Sequence, residues 1–251
     1  MQVAGMADAF RLSAILGILL GLYCLMLPKT PPQPGQQKFA PLEALGEIKK
    51  MPLLALFLIS FPIACVHQFY FVHTAGFVGK LNHPWAEGIN KVFGVGGGGL
   101  MTIGQMAEIL VLAFMPVLAK KMSRKSLLTL GLLAYILRFG IFAFASNPAL
   151  IIPALALHGF VFGCFFFVCF MIVDENTSKD VRASAQGLFN LIIVGIGTIV
   201  GNLVAGKIAA VAGKSGTMDY SKLFSIPMWI CVACLALLLI FYPSRKAERP
   251  A

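Results

Sequence analysis

An all-α membrane protein is the fold class this sequence predicts, on three observations. The 251 residues are 59% hydrophobic and only 12% charged, where a soluble domain carries about 25% charged residues. The apolar residues gather in runs of roughly 20, the length needed to cross a bilayer, and mean hydropathy reaches +0.86. Lysine and arginine, which give a net charge of +10, cluster in the short gaps between those runs. That is the pattern of the positive-inside rule rather than of a nucleic-acid-binding surface.

Seven spans are predicted, at about 10–27, 53–78, 92–118, 127–145, 149–173, 187–212 and 223–242. The first ends in "LPKTPP" rather than a small-residue cleavage site, so it reads as a span and not a signal peptide. Between the first two spans lies the longest polar stretch, rich in Pro and Gln, with one short amphipathic helix expected at Leu42–Lys49. The predicted organisation is a lone helix (1–27), a cytoplasmic linker (28–52) and a six-helix unit with a short tail (53–251). If the linker is cytoplasmic, that side holds Lys29, Lys38, Lys49, Lys50, Lys120, Lys121, Arg124, Lys125, Lys179, Arg182, Arg245, Lys246 and Arg249. Against these thirteen stand four on the other side: Lys80, Lys91, Lys214 and Lys222. The N-terminus is therefore expected outside and the C-terminus in the cytoplasm.

Seven spans fit either a seven-helix receptor or sensor, or one six-helix half of a transporter preceded by a single helix. The long linker separates one span from six and favours the second; the last span also has no lysine to hold a retinal. A weak repeat points the same way. "HQFYF" at His67–Phe71 and "HGFVF" at His158–Phe162 open the two successive three-helix units, as in transporters built from inverted repeats.

Ionisable residues deep in a span are functional-site candidates. Glu108 lies ten residues from the cytoplasmic end of its helix and Arg138 eleven residues into the next, both about 15 Å deep at 1.5 Å per residue. They are expected to act as a proton-coupling site or as an ion pair. Gln105, one turn before Glu108 on the same face, adds an amide suited to a ligand. His67 and His158 sit near mid-depth among aromatic residues. Gln68 beside Phe69-Tyr70-Phe71 offers an amide next to rings, a combination that stacks a planar ligand and hydrogen-bonds its edge. Asn190 and Asn202 are expected to join helices. The run Gly94–Gly99 lacks the GK[ST] ending of a phosphate loop and reads as a packing or bending element. The Asn176 sequon falls on the cytoplasmic side. Six cysteines within or beside apolar runs, including the Cys231–Cys234 pair, read as buried thiols without a metal.

Several short motifs occur in one order along the chain: "LPKTPP", "IGQMAEI", "LRFGIFAFAS", "LHG" before a Phe run, and "SAQGL". Together they resemble the nucleoside:proton symporters of the major facilitator superfamily. The resemblance implies a major-facilitator-type bundle in which this chain supplies helices six to twelve of twelve. It also implies a non-enzymatic multi-pass protein of the inner membrane that takes up a nucleoside or similar small polar solute with protons and uses no cofactor. Its partners would be membrane lipid and an N-terminal transporter half. The family's eighth-helix glutamine and glutamate fall on Gln105 and Glu108, and its seventh-helix glutamine on Gln68. A Tyr-Asp pair of the tenth helix falls on Phe162 and Gly163, so the family acid is replaced by glycine. The expected binding set is Gln68, His67, Phe71, Gln105, Glu108, His158 and Phe162, with Arg138 beside Glu108. A non-transporting remnant of a truncated transporter is the remaining alternative.

Overall fold

The computed structural model describes residues 2–29, 40–94, 96–213 and 216–243. Lys38, Lys214 and the tail residues Arg245, Lys246 and Arg249, counted above for orientation, lie outside them. The chain divides into two compact units, 1–38 and 39–251. In the first, helix α1 (Gln2–Cys24) is predominantly apolar over Phe10–Cys24 and holds an Arg11–Asp8 ion pair at 3.0 Å. That stretch is shorter than the other spans.

The second unit holds six helices long and apolar enough to cross a membrane: α3 (Leu53–Val78), α5 (Gly97–Lys121), α6 (Arg124–Phe144), α7 (Pro148–Glu175), α8 (Arg182–Ala212) and α9 (Tyr220–Phe241). Two short helices complete it, α2 (Ala40–Ile48) and α4 (Pro84–Phe93). The starts follow local chemistry. Ser123, Asn147 and Asp219 each accept a backbone N–H of the first turn of α6, α7 and α9, satisfying donors a helix start leaves open. Pro84 and Pro148 occupy first-turn positions where a missing N–H costs nothing. The third predicted span, set at 92–118, begins instead at Gly97. Gly94 and Gly96 take φ of 119° and 75°, values that end one helix and turn the chain into the next.

Helix α6 packs along α9, α3 along α8 and α9, and α7 fits between α5 and α6. The centre is aromatic: Phe77, Phe139 and Phe142 surround Phe224 with ring centroids 4.9–6.1 Å apart. Such contacts add to the packing of apolar area. Helices α5 and α8 are peripheral: 22% and 28% of their apolar stretches are buried, against 61% in α3 and α7. Their outward side chains, among them Ile109, Phe114, Ile199 and Leu203, form an apolar surface suited to lipid. At the end where α6 begins and α7 finishes, Arg124 donates twice to the Glu175 carboxylate. There too Glu47 of α2 accepts the N–H and hydroxyl of Ser178.

A turn at Leu155–Ala156 interrupts α7 after Pro153, and two segments widen. Phe162–Phe167 within α7 and Leu191–Ile196 within α8 are π-helical, a conformation that recurs at functional sites.

Candidate functional site

Glycines set where α5 meets α7. A Cβ on Gly104 would lie 3.0 Å from His158 Cβ, and one on Gly159 would strike the Ala107 carbonyl and lie 2.8 Å from the Glu108 amide nitrogen. Only glycine permits this backbone approach. It brings Glu108 Oε2 to 3.5 Å from His158 Nε2. The other ring nitrogen, Nδ1, is 3.1 Å from an Arg138 guanidinium nitrogen. Arg138 and Glu108 therefore do not form the direct ion pair that their matching depths suggested. Depth fixes height but not rotation about the helix axis, and the His158 ring stands between them.

Arg138 is wholly buried, and a buried cation is costly unless compensated. Its guanidinium lies 3.9 Å from the Tyr70 ring centre and 5.2 Å from those of Tyr135 and Phe139. Three aromatic faces supply part of that compensation. Its Nε and one terminal nitrogen have no hydrogen-bond partner among the described residues. The His158 ring stacks with the His67 ring at 5.3 Å and 15° and with the Tyr70 ring at 5.0 Å and 19°. His67 Nδ1 is in turn 2.7 Å from the Tyr135 hydroxyl.

Phe71 meets both imidazoles edge-on, at 5.1 and 5.7 Å, and is 41% exposed. Phe162 lies 6.5 Å from His67. The structure thus brings His67, Phe71, Glu108, Arg138, His158 and Phe162 into one cluster. Gln105 lies one turn from Glu108 and is exposed. Gln68 stands apart: its amide donates to Asn202 Oδ1 at 3.1 Å, joining α3 to α8 where Gly201 lets them approach. Asn202 thus links helices, as its position in an apolar span suggested. Tyr70, named from sequence only as a ring beside Gln68, completes the cluster with Tyr135 and Phe166, which were not singled out from sequence. The spacing was there to find Tyr70 and Tyr135, one turn from His67 and from Arg138.

Gly163 does not face this cluster. A Cβ there would lie 2.7 Å from Val111 Cγ1 of α5, so the position carrying the family acid in the resemblance is packed against a helix rather than open.

A family model described as Nucleoside H+ symporter matches residues 2–247. The chain belongs to the nucleoside:proton symporter family. This is a family of transporters, and the protein is a helical, multi-pass membrane protein. Among curated relatives of this chain, YegT of Escherichia coli K12 is 27% identical over 220 residues, 82% of this chain and 49% of YegT. The xanthosine permease of the same strain is 28% identical over 234 residues, 88% of this chain and 54% of the permease. The nucleoside permease NupG of that strain is 27% identical over 146 residues, 57% of this chain and 34% of NupG. The chain thus spans about half the length, or less, of these curated relatives. The crystal structure of the nucleoside transporter NupG superposes with a TM-score of 0.71 at 24% identity, over 93% of this chain and 60% of that one. A point mutant of it gives 0.75 at 23% identity. The major-facilitator-type fold expected from sequence is therefore the fold observed, with six full-length spans and the shorter Phe10–Cys24.

Proposed function

We propose that this chain carries part of the pathway for proton-coupled nucleoside uptake across the inner membrane, as transport rather than catalysis. The observation that carries the reading is a mid-span carboxylate, Glu108, one-fifth exposed and contacted by His158, on a helix face that also presents Gln105. A nucleoside has ribose hydroxyls that donate to a carboxylate or an amide oxygen and a planar base that stacks on rings. Gln105 and Glu108 suit the first requirement, and Phe71, Phe162 and His67 the second. Glu108 exchanges the proton. The names of two relatives, a nucleoside permease and a xanthosine permease, support this substrate class. In our reading the cluster works opposite a second helical half, with lipid against α5 and α8. The N-terminus lies outside and the C-terminus in the cytoplasm, as the Lys and Arg asymmetry suggests.

The test is a pair of variants in the complete transporter, read as folded yield and as nucleoside uptake against pH. Since Arg138 holds no direct contact to Glu108, Glu108→Gln is expected to keep its yield within about two-fold and to lose uptake or its pH dependence. Adding Arg138→Gln is expected to restore neither. Uptake regained by the double variant would remove Glu108 from the transport site, because it would show the two residues needing only each other.

A further inference from the structure

His158 contacts two groups of opposite charge through its two ring nitrogens. Arginine has donors only, so the 3.1 Å contact requires Nδ1 to accept a hydrogen bond from an Arg138 N–H. A neutral imidazole then carries its own hydrogen on Nε2, the nitrogen 3.5 Å from the Glu108 carboxylate. Ring stacking on His67 and Tyr70 fixes the plane, and the Gly104 and Gly159 contacts fix the backbone. Little freedom is left for His158 to turn over. A donor is thus held facing the carboxylate for as long as Arg138 occupies the far nitrogen.

We propose that Arg138 is a positioning residue for proton exchange, acting through His158: it fixes the Nε2–H tautomer and so holds Glu108 as the carboxylate that receives the proton. This rests on the transport reading given above, and it adds the residues that prepare Glu108. A proton delivered by a hydronium ion at the open face adds to a Glu108 carboxylate oxygen: that O–H bond forms, one O–H bond of the hydronium breaks, and water leaves. The new hydroxyl finds no acceptor on His158, because one ring nitrogen bears hydrogen and the other is occupied by Arg138. The hydroxyl is directed instead along the open face toward Gln105, where it becomes a donor for a solute. Proton binding at Glu108 thus changes what that face offers.

The groups around this relay are few. From α3 come His67 and Tyr70, and from α6 come Tyr135 and Arg138 itself. Cys231 of α9 is within electrostatic reach of Arg138. None of them supplies a second carboxylate, so the charge acting on Glu108 through His158 is that of Arg138.

The test needs no transport. The chain in lipid vesicles is titrated while the infrared band of the Glu108 carboxyl, identified by its loss in Glu108→Gln, is followed. Arg138→Gln and His158→Phe, the second keeping the ring stack and losing both nitrogens, are each expected to raise the pH midpoint of that band by about one unit, a tenfold change in proton affinity. An unchanged midpoint in either folded variant overturns the relay. A shift in Arg138→Gln alone also overturns it, since the influence would then bypass His158. Wild-type 15N spectra of the imidazoles decide the matter without any variant: His158 must show hydrogen on Nε2 and none on Nδ1 at neutral pH, and the reverse tautomer or a doubly protonated ring refutes it. Absent nucleoside uptake alongside the expected midpoints would fault the transport reading and leave the relay standing.

Discussion

Replacing Gly159 with alanine tests whether backbone proximity holds the site together. The added Cβ would strike the Ala107 carbonyl and lie 2.8 Å from the Glu108 nitrogen. Both are main-chain atoms that no rotamer change can move. To restore ordinary contact with the Ala107 carbonyl, 3.4 Å or more, α5 and α7 must part by about 1 Å or shift along each other, and forced overpacking of this kind costs about 1–3 kcal/mol. At roughly 2–4 °C per kcal/mol for a unit of this size, Gly159→Ala should lower the melting temperature by about 5 °C. The Glu108–His158 contact, already 3.5 Å, should open as the helices separate, so uptake should fall together with stability. The control is Gly206→Ala in α8, where an added Cβ meets nothing within 4 Å and no loss is expected. Melting followed by fluorescence-detected size exclusion, with uptake measured on the same preparations, supplies both readouts. A Gly159→Ala protein as stable and active as the Gly206→Ala protein would refute the claim that this crossing builds the site.

Two further outcomes are expected. Gly163→Asp should lower folded yield rather than alter substrate preference, because its carboxylate would enter the α5 contact at Val111, with Asp at a helix centre costing about 2.5–3.5 kcal/mol on insertion scales; normal yield with altered specificity would return Gly163 to the binding face. For orientation, Lys222→Cys should react with a membrane-impermeant maleimide added outside intact cells and Lys179→Cys only after the membrane is opened, the reverse pattern inverting the topology.

Hydropathy alone placed the six long helices closely, since bilayer thickness and backbone hydrogen bonding leave little other choice for such runs. The start at Gly97 was harder to see, because "GVGGGG" is neutral in hydropathy and only the positive φ of Gly94 and Gly96 marks the break. Within the site, the depth of Glu108 was readable because helical rise is constant. Its neighbour was not, because facing depends on how two helices are rotated against each other. Arg138 therefore seemed a direct partner, when the stacked rings of α3 and α7 set His158 in between. Gln68 was legible as a polar residue at the right height, but not as the partner of Asn202, which needs the α3–α8 approach at Gly201. Gly163 was legible as the place of the family acid, but its packing on Val111 was not, because that depends on how α7 is rotated against α5.

The π-helical segment Phe162–Phe167 makes α7, from Leu157 on, two helices in one continuous rod. A π turn holds an extra residue, so the stretch before it and the stretch after it are out of phase with a single α-helical winding. The angular offset belongs to the insertion and not to the composition around it. Removing one phenylalanine from Phe165–Phe167 would leave length and hydropathy almost unchanged. If the turn kept its wider winding, that deletion would swing Val168–Glu175 by roughly 80–100° relative to His158, one residue's share of a turn. Glu175 would then point away from Arg124, and the membrane end of α7 would lose its bond to α6 although no residue of either pair had changed. The orientation of one end of the helix is thus stored at its middle, in the count of residues rather than in their kind.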